Sequence, residues 1–175
     1  FVSAFEFPGM ANTFASNLSK AAEKPSLGTT TEAVFSGMQL ASPINDATTL
    51  LQKSGVINLK DATLQTMKKG GLFSLGLGTG RSAVQSLFKG KEKNDDYVKA
   101  QAPADKNTKF HALVNEGFHL GTMVSYCALG TLGFVNAIKL LPVAGWVTLA
   151  SNTSALVCTL LKYYHGRFNS IPQKV

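Results

Sequence analysis

The residues whose types could do chemistry are few in this chain, and their spacing argues against a catalytic centre. His111, His119 and His165 are scattered. His111 and His119 lie eight positions apart and can share a helix face, but no neighbouring histidine or carboxylate completes a metal-ligand pattern. Glu116 is the only acidic residue in the last 66 positions. Acid–base catalysis needs paired titratable groups in one pocket, and no serine, histidine and aspartate arrangement can be singled out. Cys127 and Cys158 are 31 positions apart, each inside an apolar run; they read as small packing residues rather than as metal ligands or a disulfide framework. The tract Leu75 to Ser82 ends like a phosphate-binding loop, but Arg81 stands where that motif has lysine and Leu75 where it has its first glycine. No strand precedes it, and the mechanism needs a strand, a cradle of backbone N–H groups and a compact lysine. A non-enzyme is expected, with no catalytic residue, no cofactor and no metal.

The elements around these residues read as helices throughout. Residues 1–57 are rich in Ser, Thr and Ala and read as short helices. One runs from Asn12 to Glu23 with Phe14 and Leu18 on one face, and stops at Lys24-Pro25, because the residue before proline avoids the α region. A second covers Thr30 to Leu40, and Pro43 opens a third that Ser54-Gly55 ends. Asn58 is expected to cap a helix from Leu59 to Lys69, interrupted at Gly70-Gly71. From Leu72 to Phe88 the residues Phe73, Leu77, Gly80, Val84, Leu87 and Phe88 recur at helical spacing and define an amphipathic face. Gly76, Gly78 and Gly80 lower helix propensity there by up to about 1 kcal/mol each, so a packing reason, the close approach of another helix, is expected. Residues 89–109 are dense in charge and read as a solvated, mobile linker. The start, Phe1 to Pro8, has no basic stretch followed by a long apolar run, so a secretory signal peptide is not expected.

Beyond this the character changes. From Gly117 to Leu161 the only charged side chain is Lys139, although the mean hydropathy of the whole chain is only +0.08. Leu120 to Ile138 and Val143 to Leu161 are apolar runs of about 19 residues each, near the ~20 that cross a bilayer core as a helix. Pro142 and Gly145 break them into an antiparallel hairpin. Gly121, Ser125, Gly133 and Ala137 on the first run, and Ala150 and Ser154 on the second, are small residues at multiples of four, the spacing that lets helix backbones approach in lipid. The net charge of +7 is carried mostly outside the hairpin. Lys106 and Lys109 precede it; Lys162 and Arg167 follow it. That placement puts both termini on the cytosolic side, with Trp146 and the pair Tyr163-Tyr164 at interfaces. The expected organisation is all-α: short N-terminal helices (1–57), an amphipathic glycine-faced region (58–88), the linker (89–109), the hydrophobic hairpin (110–165) and a basic tail (166–175).

Several stretches resemble the inclusion membrane proteins of Chlamydiae and related type III secreted effectors. They are Thr79 to Phe88, Gly133 to Asn136 and Ala150 to Ala155, set in a pattern of Ser/Thr/Ala-rich start, charged linker and two-lobed hairpin covering about residues 59–165. The likeness is one of hydropathy pattern and assigns no residue roles. It implies secretion by a bacterium and insertion into a host-derived vacuole membrane, with the termini facing the host cytosol. The expected function is therefore non-enzymatic: a membrane hairpin that self-associates and organises a membrane or recruits partners. The expected partners are membrane lipid, further copies of the chain and host proteins. A soluble, self-assembling helical scaffold with the hairpin as its buried core is the alternative. Nucleic acid is not expected as a partner, because the basic residues are not interleaved with aromatics in a recognisable binding module.

Overall fold

A computed structural model describes residues 2–169, with side chains described over 7–167; most of the expected basic tail, Lys174 included, lies outside the described residues. The fold is all-α, as expected, and built from five helices: α1 (Val2–Glu23), α2 (Leu27–Lys53), α3 (Asp61–Lys99), α4 (Pro103–Ala137) and α5 (Gly145–Asn169).

The ends of the helices follow local chemistry. Pro25 stops α1. Ser26 then caps α2: its Oγ accepts from the Thr29 N–H at 3.1 Å, and the Thr29 Oγ1 accepts from the Ser26 N–H at 3.0 Å, a reciprocal capping box. The turn from α2 to α3 is held by the Gln52 amide, which donates to the Leu59 carbonyl and accepts from the Leu59 N–H. The α4–α5 turn begins with Lys139 at φ +58°. Its N–H donates to the Asn136 carbonyl and that of Leu140 to the Val135 carbonyl, the pairing of a Schellman stop. Lys139, the one charge inside the hydrophobic stretch, therefore sits in the loop and not within a helix.

Three expected breaks are absent. Pro43 lies inside a continuous α2, and Gly70-Gly71 lies inside a continuous α3 that begins at Asp61 with Lys60 at its N-cap, so Asn58 is not the cap. Residues 89–109 are not a linker: α3 continues to Lys99, α4 starts at Pro103, and only 100–102 separate them. Lysine and glutamate are good helix formers, and the two charged ends meet. Lys109 lies 4.0 Å from Asp96, and the Tyr97 and Phe110 rings are 6.0 Å apart. Tertiary contact thus carries helix through segments whose local composition suggested a turn or a linker.

Neighbours in sequence pack as neighbours in space, and α1 also touches α5. The central helix is α3, and its glycines serve two sides. A Cβ on Gly78 would stand 2.8 Å from Gln39 of α2, and one on Gly76 would stand 2.9 Å from Thr131 of α4. The closest approach is at Gly130 of α4, where a Cβ would stand 2.3 Å from the Gly76 nitrogen. The expectation that these glycines admit another helix is met by two helices, one on each side.

Candidate functional site

The hairpin of α4 and α5 has a definite register. His111 faces His165 at 3.2 Å, the Lys162 amine faces His119 at 3.0 Å, and Ser125 donates to Ser154 at 3.0 Å. A Cβ on Gly121 would stand 2.8 Å from the Cys158 Sγ. Of the small residues singled out by spacing, Gly121, Ser125 and Ser154 therefore meet across the hairpin. Gly133 instead packs on Leu72 of α3, Ala137 is half-buried and Ala150 is exposed. The cysteines sit over glycines, Cys158 over Gly121 and Cys127 over Gly80, in keeping with their reading as packing residues. Periodicity missed the tightest pair, Gly76 and Gly130; glycines on two helices give no sign of being opposite one another until the helices are paired.

What these helices bury and what they leave outside is the unusual property of the fold. Among the described residues the buried apolar set is small: Ala33, Leu40, Leu75, Ala83, Met123, Tyr126 and Ala155. An equal number of polar residues is buried, including Thr79 at 0%, Ser86, Thr122 and Glu116. The amphipathic face of α3 points outward instead: Phe73, Leu77, Val84, Leu87 and Phe88 are exposed, Phe88 at 71%, while Gly80 is half-buried against α4. Leu149, Leu156, Val157, Leu160 and Leu161 do the same on α5. Scattered exposed leucines are ordinary; buried polar residues beneath extended apolar faces are the informative combination. One helix among the described residues, α4, is long and apolar enough to cross a membrane, and only 28% of its apolar window is buried inside the protein.

Three of the buried polar residues, Ser36, Ser86 and Glu116, line an open cleft of about 510 Å³ to which all five helices contribute. Glu116 lies at its wall. The Ser86 hydroxyl donates to Glu116 Oε1 at 2.6 Å and the Lys93 ammonium to Oε2 at 2.7 Å. Burial alone would raise the carboxyl pKa, but the hydrogen bonds from Lys93 and Ser86 and the Lys93 charge outweigh it and hold it below the ordinary carboxylate value. His119, one turn on, is pushed the other way from protonation: burial lowers its pKa, and the Lys162 charge lowers it further. Because an ammonium only donates, His119 Nδ1 accepts from Lys162 and the ring is neutral. On the α2 side Arg81 is committed to Glu32 at 2.6 Å, to the Thr31 carbonyl and to the face of the Phe35 ring. The Leu75–Ser82 tract lies mid-helix, where its N–H groups are taken by the helix itself, so it forms no phosphate cradle.

The cleft was only partly visible in the sequence. The isolation of Glu116 among apolar residues is plain in the sequence, but its partners Ser86 and Lys93 are not. Ser82, Ser86 and Lys89 recur at helical spacing along α3 and line the cleft, and Lys93, one turn on, reaches Glu116; a linker beginning after Phe88 hides that spacing. The flanking cations differ in their surroundings: Lys162 lines the cleft, Lys106 stands over the Tyr97 ring, Lys109 faces Asp96, and Arg167 donates to the Tyr163 hydroxyl. Among the described residues no group of three or more His, Cys, Asp or Glu side chains converges to hold a metal ion. No protein-family model, curated protein or solved structure matches this chain.

Proposed function

We propose that the chain is a non-enzymatic membrane protein, inserted through the α4–α5 hairpin, that self-associates and organises a membrane or recruits partner proteins. The observation that carries this reading is the inverted distribution of polarity, with serine, threonine and glutamate inside and phenylalanine, leucine and valine outside. In water, leaving such faces exposed forgoes roughly 25 cal/mol for each Å² that burial would remove; acyl chains or another copy of the chain would cover them. The hairpin register supports it further. Lys106, Lys109, Lys162 and Arg167 gather at one end of the helix pair, as the positive-inside pattern requires. The likeness to the inclusion membrane proteins of Chlamydiae would make that membrane a host-derived vacuole and the partners host proteins. The soluble alternative draws on α5, which at 25 residues is long enough to span but not apolar enough, and on the Arg81–Glu32 pairing between α2 and α3.

Membrane fractionation tests the choice. After expression, the chain should stay in the pellet through alkaline carbonate and be released by detergent as an oligomer. Release by carbonate alone would overturn insertion, and a discrete large species without detergent would replace it with the soluble assembly.

A further inference from the structure

The cleft holds more positive charge than its own carboxylates use. Glu32 is engaged by Arg81 and by the Gln85 amide at 2.9 Å, and Glu116 by Lys93 and Ser86. Two further ammonium groups, Lys89 and Lys162, line the same space. Among the described residues Lys89 has no hydrogen-bond or ion-pair partner, and Lys162 has only the neutral His119 ring. Lys162 is half-buried. A cation partly withdrawn from water against a neutral imidazole lacks the counter-charge that normally offsets its desolvation. The electrostatics agree with the geometry: Lys162, Lys89 and Lys93 all act on His119 and disfavour a proton there. Asn17 and Gln85 add neutral donors to the walls.

We propose that this cleft is a binding site for a net-negative phosphate group, held between Lys89 and Lys162 with His119 beside it. Phosphate suits the site because several separate donors converge on one space, and a phosphate presents at least three acceptor oxygens to them. Lys162 and His119, which line the cleft, stand at the end of the hairpin just outside the apolar runs. An acidic lipid headgroup would reach the cleft at that level, and a soluble phosphate ester would enter from the same side. The lipid source rests on the membrane reading above; binding of phosphate itself does not.

The test has two arms. In the first, purified protein is titrated with inorganic phosphate while the His119 ring resonances are followed by NMR. Bound phosphate should raise the His119 pKa, and Lys89→Gln and Lys162→Gln should each weaken binding by about tenfold or more. Lys106→Gln removes the same charge outside the cleft and should leave binding unchanged. In the second, flotation compares vesicles of phosphatidylcholine with vesicles that also contain phosphatidic acid. A preference for phosphatidic acid that is lost in Lys89→Gln and Lys162→Gln identifies a headgroup as the source; a response to inorganic phosphate without that preference identifies a soluble one. No response in either arm, or equal weakening by Lys106→Gln, overturns the site. Failure to float with either vesicle removes the membrane reading instead, and the phosphate titration still decides the cleft.

Discussion

The Gly76–Gly130 crossing permits a sharp test, because one methyl group is expected to act in opposite directions at two positions of α4. Gly130→Ala places a Cβ 2.3 Å from the Gly76 nitrogen, 2.7 Å from its Cα and 2.8 Å from the Leu72 carbonyl oxygen. Carbon contacts are favourable near 3.5–4.0 Å, so relief requires α3 and α4 to move apart by about 1 Å. All three obstacles are backbone, and no side-chain rotation helps. Overpacking of this kind costs about 1–3 kcal/mol, and separation also loosens the contacts of Leu75 and Met123. Alanine returns up to about 1 kcal/mol of helix propensity, leaving a net loss of up to about 2 kcal/mol. Gly117→Ala, in the same helix, meets nothing within 4 Å and should show the propensity gain alone. For a chain of this length 1 kcal/mol moves Tm by about 2–4 °C. Thermal unfolding followed by circular dichroism should therefore show Gly130→Ala several degrees below the parent and Gly117→Ala slightly above it. Equal stabilisation by both substitutions would refute the close crossing and with it the packing of α3 on α4.

Lys139→Gly should stabilise the α4–α5 turn by about 1 kcal/mol, since a non-glycine residue in the left-handed region costs about that much; denaturant unfolding measures it. Glu116→Gln should lower stability by about 1 kcal/mol, because the buried carboxylate gives up its charge-assisted bond from Lys93, whose own ammonium stays partly solvated; a midpoint unchanged in chemical denaturation would mean the pair contributes nothing. Stability should fall on acidification in two stages. The folded pKa of His119 lies below its ordinary 6.5, so the unfolded chain binds more protons below that pH and stability declines as pH falls toward the folded value. Glu116 is likewise depressed below 4.5, and its contribution is lost only at lower pH still. His119→Gln should remove the first stage from a pH series of melting curves and leave the second.

Much of this fold was legible in the chain. The all-helical character, the hairpin turn near Pro142, the stop at Lys24-Pro25 and the grouping of apolar residues on one face of α3 follow from local rules of spacing and capping; that this face points outward does not. Gly121, Ser125 and Ser154 were found because small residues at spacing four mark one helix face whatever it packs against. Tertiary structure decided the rest. Gly70-Gly71, Pro43 and the charged run 89–109 look like interruptions in isolation, with deficits of about 1 kcal/mol for a glycine and about 3 kcal/mol for a proline, yet helix persists through them: Gly71 packs on Ala41 and Asn45 of α2, Pro43 is buried, and Lys93–Glu116 and Tyr97–Phe110 join the charged run to α4. The pairing of Gly76 with Gly130, and the meeting of Lys89, His119 and Lys162 around one cleft, join residues tens of positions apart on three helices. Periodicity assigns each residue a face on its own helix, and only the packing of helices determines which faces meet.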